Sequence, residues 1–108
     1  MANTFTSYAN KNVGTSAATI VTVGASTQTT IIGLAVANTS ASPITTDVYF
    51  TRSAVDYYLI KGATVPVGSS LVVVGGDQKV VLITSDVLKV VTSAASSADV
   101  VTSVLNIT

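Results

Sequence analysis

The chain has no cysteine, histidine, tryptophan or glutamate among its 108 residues, and each absence closes a route. Without cysteine there is neither a disulfide framework nor a thiolate metal site, so stability has to come from packing and hydrogen bonds, and the redox compartment cannot be inferred. Without histidine, the side chain that most often moves protons near neutral pH is missing, and zinc has none of its usual nitrogen or sulfur donors. No cofactor is expected. Long apolar runs are missing too: no segment approaches the 18 or so uninterrupted apolar residues that cross a bilayer. The first residues, MANTFTSYANKNVGTS, lack the basic start and apolar centre of a secretory signal. A soluble, unsecreted product with no membrane partner is expected. Asn38-Thr39-Ser40 and Asn106-Ile107-Thr108 match the glycosylation pattern and, without a secretory route, are read as chance matches.

Charge is scarce. Five Lys and Arg balance five Asp, giving a formal net charge of zero, and charged residues are 9% of the chain against about 25% in an ordinary soluble domain. Nucleic acid is not an expected partner, because neutralising several phosphates needs clustered cations and Lys11, Arg52, Lys61, Lys79 and Lys89 are scattered along the sequence. A monomer so poor in charge tends to associate or precipitate. Controlled self-association is the natural alternative.

What is abundant is Val, Ile and Thr, whose branched Cβ atoms suit a pleated surface better than a helix. Strand-like segments recur about every ten residues: ATIVTV (18–23), TTIIGLAVANT (29–39), TTDVYFTR (45–52), DYYLIKG (56–62), LVVVGGDQKVVLI (71–83, read as two strands about a Gly75-Gly76-Asp77 hairpin turn), SDVLKVVTS (85–93) and the closing DVVTSVLNIT. About eight short strands without a helical stripe predict an all-β, antiparallel β-sandwich, with a jelly roll among the arrangements this pattern allows. Residues 13–108 are read as a single sandwich domain, and polar residues 1–12 as a flexible N-terminal arm that orders only against a neighbour.

Period-two alternation assigns faces. Ile32, Leu34 and Val36 are expected to point inward, with Gly33, Ala35 and Ala37 leaving a shallow opposite face. Val48 and Phe50 are expected in the core, where Phe50→Ala would cost roughly 3–5 kcal/mol. In 87–91, Leu88 and Val90 share one face while Val87 and Val91 flank Lys89 on the other. In the last strand, Val100 and Val104 oppose Val101, Leu105 and Ile107. A sandwich needs one apolar face per sheet, so the surplus predicts covering by partner subunits.

Reactive chemistry is hard to find. Asp47, Asp56, Asp77, Asp86 and Asp99 stand at least nine positions apart and read as solvated surface or turn residues; there is no G-x-S-x-G elbow and no histidine to serve as its base. Gly75-Gly76-Asp77 lacks the residues of a phosphate loop. The suggestive features are Tyr57 and Tyr58, adjacent and therefore on opposite faces of a strand. One is expected to pack inward and the other to offer its ring and hydroxyl to a partner or a sugar, with cross-strand packing of both as the plainer alternative. Arg52, the single arginine, could make a bidentate pair at an interface. These three are the candidate contact residues; no catalytic, metal or cofactor residue is expected.

The combination TIIGLAVANTSASPITTDVYFT, DYYLIKGATVPVGSSLVVVGGDQKVVL, DVLKV and terminal VLNIT resembles a family of small virion-associated structural proteins of tailed bacteriophages, cyanophages included. PVGSSLVVVGGDQKVVL with SDVLKV is the most specific part; family members often have Gly-Asp where this chain has Ser85-Asp86. The resemblance implies a non-enzymatic virion protein, a β-sandwich assembled in the host cytoplasm in several copies on capsid, neck or tail, with itself and other virion proteins as partners. A homo-oligomer is expected, a trimer among its closed forms. The alternative is a module on the virion that binds glycans or the host surface through Tyr57 or Tyr58.

Overall fold

In the computed structural model, residues 2–75 and 78–108 are described. They form nine strands: β1 (Asn3–Val13), β2 (Ala18–Thr22), β3 (Gln28–Asn38), β4 (Ile44–Arg52), β5 (Val55–Val65), β6 (Ser70–Val74), β7 (Val80–Leu82), β8 (Val87–Thr92) and β9 (Ala98–Ile107). The larger sheet runs β1-β9-β3-β6 with β7 also on β3, and the smaller runs β2-β8-β4-β5. All the pairings are antiparallel. This is the expected all-β sandwich. With β6 and β7 taken as two halves of one interrupted strand, the order is that of an eight-strand, double-sheet jelly roll.

The interruption corrects the expected hairpin. β6 pairs with residues 34–37 of β3 and β7 with residues 29–31, both antiparallel to β3. They therefore follow one another along the same edge and do not turn back on each other. Gly76 and Asp77 themselves lie outside the described residues. A second correction concerns the N-terminal segment, which is strand β1 and not a free arm, pairing with β9 from Asn3↔Ile107 to Asn10↔Val100. Its polar side chains are no obstacle, because an edge strand is held mainly by its ladder and leaves most of its side chains in water.

Alternation places one side of each sheet in the core. Ile31, Leu34 and Val36 of β3, Val100 and Val104 of β9, Val74 of β6 and Leu82 of β7 meet Ile20 and Val21, Ile44 and Val48, Val65, and Leu88 and Val90 of the smaller sheet, all buried. Burial of such a side chain contributes about 1.5–3 kcal/mol. In β8 and β9 the face that turns inward is that of Leu88 and Val90 and that of Val100 and Val104, a choice the sequence leaves open because both faces of each strand carry apolar residues. In β3 the inward residue is Ile31 and not Ile32, because the register with β9 shifts between Ile31 and Gly33. The extra residue of a bulge moves the alternation by one. The Thr102 hydroxyl donates to the Gly33 carbonyl at 2.8 Å, which occupies the acceptor the bulge exposes.

Buried polar groups are similarly paired. The Asn38 amide donates to the carbonyls of Ser42 (2.9 Å) and Val65 (3.0 Å) and accepts from Ser40, so the first glycosylation match is a structural knot of the loop after β3. Thr92 and Ser97 share a 2.7 Å hydrogen bond beneath the β1–β2 connection, where the Thr92 amide also donates to the Gly14 carbonyl. No described buried side-chain nitrogen or oxygen lacks a partner.

The β4–β5 hairpin closes with two residues: Arg52 pairs with Val55, and Ser53 and Ala54 both take positive φ, 52° and 62°. Such turns favour Asn-Gly or Gly-Gly. Ala54→Gly should therefore raise stability by about 0.5–1 kcal/mol in a urea titration. Gly14→Ala should act oppositely, costing about 1–3 kcal/mol, since an added Cβ would lie 2.9 Å from the Ser96 nitrogen and 3.1 Å from the Ala95 Cα.

Candidate interaction surface

Arg52 makes its bidentate pair within the chain, with Asp86. Its Nε lies 2.9 and 3.1 Å from the two carboxylate oxygens of Asp86, and Nη2 lies 2.6 Å from Oδ2. Asp86 also accepts from the Ile83 amide at 2.9 Å, and its side chain is 1% exposed. Asp86 is thus a turn aspartate, one of the two expected kinds, and a buried one, not a solvated one. The fork ties the end of β4 to the turn before β8, and the Asp86 carbonyl accepts from the Val23 amide, adding the end of β2. No spacing in the sequence announces this pair, whose members are 34 positions apart.

Tyr57 and Tyr58 occupy opposite faces of β5, as adjacent strand residues must, but neither is buried: they are 49% and 43% exposed. Tyr57 stacks on Phe50, its cross-strand partner, with centroids 5.4 Å apart, while the Arg52 guanidinium lies 5.1 Å from the same Phe50 ring. Tyr58 packs on Tyr49 at 4.9 Å, with Lys61 Nζ 4.5 Å from its ring centre. Cross-strand packing of both rings is what the structure has. Partial burial, reinforced by the nearby Asp56 carboxylate, raises the Tyr49 hydroxyl above its ordinary pKa. Burial falls off along β4 beyond Val48, so Phe50 packs against the core as expected but is only partly buried. The three candidate residues form no common platform.

The described residues include no group of three or more acidic, histidine or cysteine side chains able to hold a metal. A hollow of about 410 Å³ opens among residues 10–18 with Ala95 and Ser96, and Lys11 is its one ionisable side chain.

The outer face of the larger sheet is the distinctive surface. Following the register outward from β1, one row reads Phe5, Leu105, Thr30, Val81; the next Ser7, Ser103, Gly33; the next Ala9, Val101, Ala35, Val72. Two apolar rows therefore flank a row of very small residues, with no charge among the eleven. Phe5 is 74% exposed, Val72 66%, Val81 53% and Val101 51%. At its border Lys11 and Asp99 pair at 3.3 Å. The smaller sheet presents the opposite character, with Lys89 beside Tyr49 and Asp47 beside Val91. Val101 and the shallow Ala35–Ala37 side are legible in the sequence. Phe5 is missed with the supposed arm, although NTFTSY already alternates; Val72 and Val81 are missed because both of their strands are apolar on successive residues.

No family model matches the chain, and no curated protein matches it. Among solved structures it is similar to a protein described among Bacillus endospore appendages, a family of disulfide-linked pili, with a TM-score of 0.58, 16% identity, and coverage of 98% of this chain and 88% of that one. At that identity the likeness is one of fold. Disulfide linkage has no counterpart in a chain without cysteine.

Half-burial lowers the expected loss for Phe50→Ala to about 1–2 kcal/mol by denaturant titration. Acid should weaken the fold. Arg52 and the Ile83 amide hold the Asp86 carboxyl below its ordinary value, and the Asn12 amide and Lys11 do the same for Asp99. A carboxyl whose folded-state pKa lies below the unfolded value of about 3.9 stabilises fully above that value and loses its contribution as pH falls toward the folded-state pKa. Urea midpoints should hold between about pH 5 and 7 and drop below about pH 4. Asp86→Asn should be less stable at neutral pH and show a shallower acid decline.

Proposed function

We propose that the chain is a non-enzymatic structural protein of a tailed-phage particle, working as a homo-oligomer that decorates or connects capsid, neck or tail in contact with other virion proteins. The observation that carries this reading is the outer face of the larger sheet, where four large apolar side chains at least half exposed stand on an uncharged, small-residue floor. A contiguous exposed apolar patch marks an interaction site, and removing it from water contributes about 25 cal/mol per Å². The scarcity of charge elsewhere fits a protein that covers much of its exterior in an assembly. The phage assignment is supported by the resemblance carried by PVGSSLVVVGGDQKVVL and SDVLKV. That a protein of similar fold belongs to pili is in keeping with this jelly roll serving as a building unit, here without disulfide links.

Light scattering on the purified chain at micromolar concentration should give a multiple of its 10.9 kDa mass. The double variant Val72→Asp/Val101→Asp should shift the population to monomer, and at a concentration low enough for both proteins to be monomeric its urea midpoint should be nearly that of the wild type, because both side chains are already more than half in water. A wild-type chain that stays monomeric throughout would refute the reading.

A further inference from the structure

The open edge of β1 has the features of a joining strand. Ala2 and Thr108 exchange both of their backbone hydrogen bonds. In an antiparallel ladder bonded and non-bonded pairs alternate, so Thr4, Thr6, Tyr8 and Asn10 bond to β9, while Asn3, Phe5, Ser7 and Ala9 direct their N–H and C=O groups away from it. That row is regular from residue 3 to residue 10, with no register shift, proline or charged side chain. Folded proteins usually block such an edge with a charge, a proline, a bulge or a short strand. The other described edges carry those devices. β2 has five residues and a register shift. β5 has two shifts, Asp56, Lys61 and Gly62 at φ 68°. The β6–β7 edge is broken between residues 74 and 80. In length and regularity, the edge that matches β1 is β1 of a second copy.

We propose that two copies pair antiparallel through β1 about a two-fold axis at Ser7, joining two five-stranded sheets into one. Both copies then keep the same face outward, and residues opposite one another sum to fourteen: Ser7 meets Ser7 of the second copy, Phe5 meets Ala9, and Ala9 meets Phe5. This register has a consequence that selects it from its neighbours. The Phe5–Leu105–Thr30–Val81 row of one copy runs on into the Ala9–Val101–Ala35–Val72 row of the other, and the Ser7–Ser103–Gly33 rows meet end to end. A shift by two residues would set an apolar row against the serine row. The large Phe5 ring, 74% exposed in the single chain, would lie over a small alanine. The outward N–H and C=O groups of Phe5, Ser7 and Ala9 would all be paired. The proposal rests on the reading that the chain self-assembles and specifies one contact by which it does so.

Two variants test it on the full chain. Ser7→Cys introduces the chain's single thiol at a position where the two Cα atoms would be about 5.5 Å apart, within the range a disulfide spans. Mild oxidation should convert most of the protein to a covalent dimer. Ser103→Cys, one strand further in, would be separated by three strand spacings, about 15 Å, and should not cross-link. Ser7→Lys places two like charges opposite each other on the axis and should weaken association by about tenfold or more at low salt, while its urea midpoint at a protein concentration low enough for both proteins to be monomeric stays that of the wild type, since Ser7 is exposed and its backbone groups do not bond to β9. Three results would overturn the pairing: no cross-link at Ser7, equal cross-linking at Ser103, or Ser7→Lys with undiminished association. If any of these occurs while Val72→Asp/Val101→Asp still dissociates the assembly, or if the assembly is a simple trimer, the edge pairing falls and self-assembly stands. A monomeric wild type removes both.

Discussion

A two-sheet sandwich can hide one face of each sheet and no more. The smaller sheet obeys this limit, turning Ile44, Val48, Leu88 and Val90 inward and leaving lysines, tyrosines and aspartates outside. The larger sheet exceeds it. Its inner face is filled by Ile31, Leu34, Val36, Val100 and Val104, yet its outer face still carries Phe5, Val72, Val81 and Val101. The same backbone ladder that orders the core fixes these outer side chains in rows, so the surplus is a shaped surface and not a scatter of single residues. The functional reading follows from that asymmetry between the sheets, and not from any reactive group.

With no disulfide available, the ends of strands are held by polar contacts in specific places. Arg52 and Asp86 join three strand ends at one pole of the sandwich, where a carboxylate almost wholly withdrawn from water is compensated by a bidentate guanidinium and a backbone amide. Near the β1–β2 connection, Thr92, Ser97 and the carbonyls of Val13 and Gly14 do comparable work with neutral groups. Both clusters matter because a buried polar atom left unpaired costs about 1–3 kcal/mol. In each, the hydrogen-bond count is met within the chain.

The class of fold was legible because β-branched residues and short punctuated segments leave a helix no stretch to occupy. Alternation separated the two faces of β8 and β9 correctly, but both faces carry apolar residues, and which one is inner was not legible. Alternation failed in β3, where the bulge at residues 32–33 moves Ile31 into the core; a bulge is a matter of how two strands align, and a single strand's residues do not display it. The β6–β7 segment misled for a related reason: a glycine-rich break between apolar runs has the composition of a hairpin, but β3 offers one long partner on which both halves continue. β1 was hidden by its polarity, which describes what its side chains touch and says nothing of where its amides go. The Arg52–Asp86 pair was invisible because it is made by the jelly-roll crossing of distant segments. The outer surface was half legible, in Val101 and the alanines of β3, since exposure depends on which neighbouring strands arrive beside a residue.

The mutual hydrogen bonds of Ala2 and Thr108 bring the two extremities of the described chain to adjacent positions on neighbouring strands. Sequence order and spatial order are thereby separable: a linker of a few residues from Thr108 to Ala2 would close residues 2–108 into a ring, and the ring could be cut between Ser53 and Ala54, at a two-residue surface turn, with every described strand left whole. Circular rearrangement of this kind would place new ends at the far side of the β4–β5 hairpin, away from the β1 edge, and so offers a point of attachment for cargo that leaves the larger sheet unobstructed.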